Sequence, residues 1–220
     1  MSYNIQWSAI RRALPAMLDG ALVTIEIATI SMVLGVVIAL LLTVMRQSPS
    51  RILKGIAITW VSIARNTPSL FQIYILFFGL GSFGLHVPSI VALVAGITFN
   101  NAGYLAESFR GGMKAVPDTQ VRAARSLGFT ATQAYLHIVV PQLLRVVFHP
   151  ITNQMVWAIM MTSLGVIVGL NNDLAGVTQE INIKTFRTFE LFVTAAIIYY
   201  CICKLVVGLA RIACWRLFRY

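Results

Sequence analysis

Charge is what this sequence has least of. Asp, Glu, Lys and Arg make up 11% of its 220 residues, against about 25% in a water-soluble domain. That leaves too little polar cover for a soluble globule. Hydrophobic residues at 58% and a mean hydropathy of +0.81 exclude disorder as well. Cysteine is scarce too. Cys201, Cys203 and Cys214 all fall in or beside the last apolar stretch, and the first two point apart on a helix, which argues against a structural disulfide or a metal site. The phosphate-cradling G-x-x-x-x-G-K-[ST] is absent, as are G-x-S-x-G, H-E-x-x-H and C-x-x-C. No catalytic residue, cofactor or metal is expected, and any ATP hydrolysis must belong to another subunit.

What the sequence has is apolar length. A transmembrane helix needs about 20 apolar residues, and five stretches qualify. Stretch 21–45 has Glu26 as its only charge. Stretch 55–84 is too long for one straight span and contains Arg65 and Pro68. Stretches 89–105 and 151–170 are uncharged, and 191–210 carries Lys204 alone. The fold class is therefore all-α, a polytopic membrane protein of five transmembrane helices forming one domain over 1–220. Barrel strands alternate and run about 10 residues, which these stretches do not. Residues 1–18 mix Trp7, Ile10, Leu14 and Met17 with Arg11, Arg12 and Pro15. They read as an amphipathic segment lying in the interface rather than as a cleavable signal.

A net charge of +10 on a soluble chain would point to nucleic acid. Here the basic residues lie between apolar stretches and set orientation instead. One side receives Arg46, Arg51, Lys54, Arg110, Lys114, Arg122, Arg125, Arg145, Arg211, Arg216 and Arg219. The other receives Arg11, Arg12, Lys184 and Arg187. The bias places the N-terminus outside and the C-terminus in the cytoplasm.

The longest polar segment, 109–145, then lies on the cytoplasmic side. Pro117 and Asp118 open a short helix with Asp118 as its N-cap, and Gly128 stops it. Thr130 and Gln133 form a T-x-x-Q capping box that starts a second helix, which Pro141 ends or kinks. Two short helices joined by a glycine make a compact knob, and the small Ala123 and Ala124 let another surface approach its backbone. A solvated connector between spans is the other reading.

Inside the bilayer, Arg65 precedes Asn66, Thr67 and Pro68. Proline removes a backbone N–H and frees a carbonyl, and broken helices at membrane depth are tolerated where they line a cavity or are buried in protein. The segment reads either as the wall of a translocation path or as a structural kink. Arg65 has two candidate roles, attracting a substrate carboxylate or pairing with Glu107. Glu107 itself has Arg110 within reach at i+3. Asn153, Gln154, Thr162 and Ser163 are suited to hydrogen-bond a polar ligand or a neighbouring helix.

These residues carry a resemblance. Gln120-Val-Arg-Ala-Ala-Arg-Ser-Leu-Gly128, followed by Pro141-Gln142, resembles the EAA loop of ABC-importer membrane subunits. Tyr104-Leu-Ala-Glu-Ser-Phe-Arg-Gly-Gly-Met-Lys-Ala-Val-Pro117 and Arg65-Asn-Thr-Pro-Ser-Leu-Phe-Gln72 are similar to the polar amino acid permease branch, of histidine, glutamine, arginine and opine type. Asn153 and Thr162-Ser-Leu164 match further positions. The similarity runs from about residue 21 to residue 210. It implies a type I importer fold in a bacterial inner membrane and translocation of a polar amino acid or related small solute. It further implies two cytoplasmic ABC ATPases and an external solute-binding protein as partners. Gln120, Arg122, Ala123, Ala124, Leu127, Gly128 and Pro141 would form the ATPase-coupling surface. Arg65, Asn66, Thr67, Pro68, Gln72, Glu107, Asn153, Thr162 and Ser163 would form the path or gate. Two departures stand out. Arg122 replaces the usual acidic residue, which inverts the charge at the dock. Met160 and Met161 replace the charged or amide residues that often precede Thr162.

Five spans enclose too little for a full pathway, so a second membrane subunit, identical or homologous, is expected around a two-fold axis. A passive channel or ion-coupled carrier is the alternative function, and it would need no docking knob. An intramembrane enzyme fails on geometry: Ser163 and His149 lie fourteen residues apart on one helix, roughly 21 Å at 1.5 Å per residue.

Overall fold

A computed structural model describes residues 6–218, and the regular structure in this range is entirely helical. The first helix, α1 (Trp7–Gln47), is unbroken over 41 residues. The described part of the expected interfacial segment is therefore the start of α1. Its face is buried: Ala13, Met17 and Ala21 pack with Leu174, Leu191 and Ala195. Pro15 lies inside this helix, where it deprives one carbonyl of a donor, and burial of the apolar face outweighs that loss. Positions 1–5 of the segment, and Arg219 among the inner-side charges, lie outside the described residues.

The stretch 55–84 is two helices rather than one span. α2 (Arg51–Asn66) starts on a Ser50 cap and buries Ala57, Val61 and Ala64, one stripe of an otherwise exposed helix. Thr67 and Pro68 are extended, and α3 (Ser69–Ser82) begins immediately after them. The break falls at Pro68 because proline has no N–H for the carbonyl four residues back and forces its predecessor out of helical geometry.

α4 (Ser89–Lys114) is the central helix. Leu93, Ile97, Ala102 and Leu105 are buried along it, against Ile27, Ala28, Met32 and Ala39 of α1. Gly103 permits close approach to α2, since a Cβ there would lie 2.4 Å from the Ala64 Cβ. α5 (Asp118–Ser126) follows after a short link. Its flanking residue is Pro117, which has no side-chain hydrogen bond to give, and Asp118 is the first helical residue rather than the cap. There its carboxylate faces the positive end of the helix dipole.

α6 (Ala131–Val168) runs from the knob through the bundle as one 38-residue helix. Pro141 does not end it. A widened π-turn over Tyr135–Val139 precedes the proline and absorbs the lost hydrogen bond. The helix tightens over Thr162–Val168 and closes at Gly169, φ +77°. Within the expected cytoplasmic segment 109–145, α4 continues to Lys114 and α6 starts at Ala131. α7 (Leu174–Thr185) and α8 (Thr188–Leu217) complete the chain. The buried Asp173 caps α7 through the Gly176 and Ala175 N–H groups. Burial pushes its carboxyl up, and those two N–H groups pull it the other way. By length and composition α1, α4, α6 and α8 are long and apolar enough to cross a membrane, and α3 is a shorter apolar helix.

Candidate functional site

The Pro68 break organises the first candidate region. In an unbroken helix the Ala64 carbonyl would accept from residue 68, which here is proline. Two buried amides replace that donor. Gln72 Nε2 lies 3.0 Å from the Ala64 oxygen and Asn100 Nδ2 lies 3.1 Å from it. Gln72 also donates to the Thr67 hydroxyl and carbonyl, at 2.9 and 3.1 Å, while its own carbonyl accepts from Asn100 at 3.1 Å. An unpaired buried carbonyl costs about 1–3 kcal/mol, so this network stabilises the break as a defined conformation. On α4 the next residue, Asn101, is fully buried and accepts from Gln154 Nε2 of α6 at 2.7 Å.

A cavity of about 280 Å³ opens beside the break, walled by Thr67, Ser69, Asn100, Tyr104, Gln154 and Trp157. Hydroxyl, amide and aromatic groups line it together with the apolar Pro68 and Met161, and no carboxylate does. Arg65 stands near one end, its guanidinium 5.7 Å from the Tyr104 ring centroid.

Further along α4, Glu107 gathers three arginines. Arg46 Nη1 of α1 is 2.8 Å from Oε2, Arg65 Nη1 of α2 is 3.7 Å from Oε1, and Arg110 of α4 clasps the carboxylate through Nε at 3.0 Å and through Nη2. Both expected partners of Glu107 are thus present, and the cluster fastens α1, α2 and α4 together. It holds one negative charge against three positive ones.

The other path candidates do not join this group. Asn66 turns back on the Ser62 carbonyl. Thr162 is buried, bonded to the Ile159 carbonyl at 2.8 Å and facing the Tyr199 hydroxyl of α8 at 3.5 Å. Ser163 bonds the Met160 carbonyl. Asn153 stands in a separate cavity of about 310 Å³ between α6 and α8, with Thr152, His149 and Arg211.

The knob is the second region. Gly128 has φ +89° and closes α5 by a Schellman motif: the Phe129 N–H donates to the Ala124 carbonyl and the Gly128 N–H to Arg125, both at 3.1 Å. The capping box is complete, with Gln133 N–H to Thr130 Oγ1 at 3.2 Å and Thr130 N–H to Gln133 Oε1 at 2.8 Å. Gln120, Arg122, Ala123, Leu127 and Gly128 are exposed, Leu127 at 81%. Ala124 is buried and holds the knob to its base, so of the two alanines only Ala123 offers an exposed side chain. Gln120 is tied to Gln142, one residue beyond Pro141, at 2.7 Å. A cavity of about 530 Å³ lies behind the knob, bordered by Arg110, Lys114, Val121 and Tyr135.

Sequence reasoning missed Arg46, Asn100, Asn101, Tyr104 and Trp157. For the asparagines a signal existed, since two adjacent amides in an otherwise apolar span must find partners inside the protein. Among the described residues no cluster of His, Cys, Asp or Glu is arranged to hold a metal.

A family model for the "binding-protein-dependent transport system inner membrane component" matches residues 31–216. The chain is 31% identical over 205 residues to the "Probable amino-acid ABC transporter permease protein PatM" of Vibrio harveyi, spanning 92% of this chain and 90% of that protein. It is 34% identical over 170 residues to the "Probable glutamine ABC transporter permease protein GlnM" of Bacillus subtilis, spanning 77% and 76%. A solved structure of an amino acid ABC transporter with histidines superposes with a TM-score of 0.91 at 26% identity, covering 97% of this chain and all of that one.

Proposed function

This chain belongs to the family of binding-protein-dependent transport system inner membrane components, and from that membership we propose how its two regions work. The chain is the membrane permease subunit of an ABC importer and not itself an enzyme, because ATP hydrolysis resides in a separate subunit. The proposed cargo is a polar amino acid or a related small solute. It passes along the cavity beside Pro68, whose hydroxyl and amide groups can hydrogen-bond a polar ligand, whose Met161 and aromatic groups can pack on its apolar part, and which offers no counter-charge to a cationic side chain. The family implies ATPase and solute-binding partners. The proposed assembly has two ATPases and a second permease subunit, identical or homologous, in a bacterial inner membrane, with the knob on the cytoplasmic side and the segment 171–190 outside.

In this reading the exposed face of the knob, Gln120, Arg122, Ala123, Leu127 and Gly128, meets the ATPase, with Ala124 beneath it and Pro141 at the base of the lever. ATP-driven closure of the ATPases displaces the knob as a rigid body. Arg65, Asn66, Thr67, Pro68, Gln72 and Glu107 then form the inner gate and its support. Thr162 and Ser163 brace α6. Asn153 belongs to the α6–α8 side rather than to the cavity wall.

The observation that carries the reading is the knob itself, an exposed helix fixed at both ends by a Schellman glycine and a full capping box. A passive channel has no use for it. The test is uptake by the assembled complex in proteoliposomes loaded with ATP, using a mixture of tritiated amino acids. Accumulation that needs ATP supports the importer reading. Flux of equal size without ATP contradicts it and favours the channel.

A further inference from the structure

The long helix α6 connects the knob to the break, and two adjacent asparagines on α4 complete the connection. From the Thr130 cap to Gln154, α6 spans 24 residues of continuous helix, roughly 36 Å at 1.5 Å per residue. Gln154 Nε2 donates to Asn101 Oδ1 at 2.7 Å. Asn101 has no exposed surface, and its amide reaches only the Met32 sulfur of α1, at 3.9 Å. Gly35 of α1 makes room for it, since a Cβ there would lie 2.9 Å from the Asn101 Cβ. The preceding residue, Asn100, points roughly 100° away around the helix. It grips the Ala64 carbonyl and Gln72, the two groups that define the Pro68 break.

We infer that Asn101 is a positioning residue for transport, transmitting displacement of α6 through α4 to Asn100 and so to the break between α2 and α3. The inference rests on the proposed reading, in which the knob receives the movement. Three observations support it independently of that reading. The Gln154–Asn101 bond is a direct side-chain hydrogen bond between the lever and the central helix. Asn100 and Asn101 are covalent neighbours on one rigid helix, so a shift or rotation at one is a shift at the other. The Ala64 carbonyl has no helical donor and depends on Gln72 and Asn100 alone, so moving Asn100 changes the energy of the break directly. Asn101 does not line the cavity beside the break. It acts through its neighbours and makes no contact with the cargo.

The experiment compares the unmodified complex with Asn101→Leu and Asn101→Asp in ATP-loaded proteoliposomes, supplied with tritiated amino acids, with both uptake and ATP hydrolysis measured. Assembled complex is quantified by the ATPase retained in mild detergent. Leucine is similar in volume but cannot bond Gln154, whereas aspartate keeps an acceptor oxygen for it. In Asn101→Leu, hydrolysis per complex stays within about two-fold while uptake per ATP falls about ten-fold, and Asn101→Asp recovers at least about half of the loss. The second readout is a Ser69→Cys reporter with Cys201, Cys203 and Cys214 changed to Ser. Its labelling rate by maleimide responds to ATP and vanadate when Asn101 is present and is indifferent to them in Asn101→Leu. Should Asn101→Leu fail to assemble, Asn101→Ala takes its place in the same comparison. Uptake per ATP unchanged by the loss of the side chain, or hydrolysis and uptake falling in parallel, overturns the relay while leaving the importer reading intact. Absence of ATP-driven uptake by the unmodified complex overturns the reading first, and the relay with it.

Discussion

Arg46, at the C-terminal end of α1, and Glu107, near the end of α4, are 61 residues apart in sequence and 2.8 Å apart in space. Their contact closes a cluster in which Arg65 and Arg110 share the same carboxylate. The cluster is unequal. Arg110 is held at two points, Arg46 by one short bond, and Arg65 only at 3.7 Å with 42% of its side chain exposed.

That inequality fixes an order of effects. Glu107→Gln leaves three cations facing a neutral amide and lowers the stability of the assembled complex by about 1–3 kcal/mol. Arg46→Gln removes one good bond and costs less. Arg65→Gln changes stability by under about 1 kcal/mol, because water already screens that pair. Thermal denaturation of the complex in detergent checks the series. Equal losses for all three substitutions would show that the carboxylate is not the hub.

Pro68→Ala restores the N–H that the Ala64 carbonyl lacks. The variant favours a continuous helix across the break, and what the restored bond adds is offset by the acceptor that the buried Gln72 and Asn100 amides lose, so the complex still assembles. Uptake nevertheless falls about ten-fold, since the hinge is lost. A variant with full uptake would mean that the break serves packing alone.

Gly128 is exposed, with nothing within 4 Å of the position a Cβ would take, so its requirement is conformational. At φ +89° an alanine is strained by about 1–2 kcal/mol. Gly128→Ala therefore weakens the knob, and Gly128→Asp, with a branched charged side chain at the docking face, abolishes uptake while the protein still inserts into the membrane. Quantitative membrane blots beside uptake assays separate the two effects, and normal uptake by a stably inserted Gly128→Asp variant contradicts the role given to the knob.

Much of this was legible in the sequence where the signal is local. The T-x-x-Q box, the Gly128 stop and the Pro68 break each depend on residues within a few positions, and each is present in the fold. The misreadings share the opposite cause. Pro141 was expected to end or kink its helix, but a π-turn lets α6 pass it, and the segment expected to lie in the interface is instead carried by its buried face into α1. The Arg46–Glu107 and Gln154–Asn101 contacts bridge 61 and 53 residues. No spacing rule reaches that far, because such pairs are set by which helices pack together.

The orientation rests on the distribution of basic residues and has its own test. Single cysteines at Ser126 and Lys184, with Cys201, Cys203 and Cys214 changed to Ser, are exposed to a membrane-impermeant maleimide on intact cells. Lys184→Cys is labelled from outside and Ser126→Cys only after permeabilisation. The reverse pattern inverts the topology and removes the knob from the compartment that holds ATP.

The most direct measurement places a photo-activatable cross-linker on Leu127→Cys, the most exposed large hydrophobic side chain of the knob, in native membrane vesicles that contain the partner subunits. A nucleotide-hydrolysing subunit captured in high yield, with the yield changing between ATP and vanadate-trapped states, is the predicted result. A knob that captures only lipid or its own chain in both states would contradict the account.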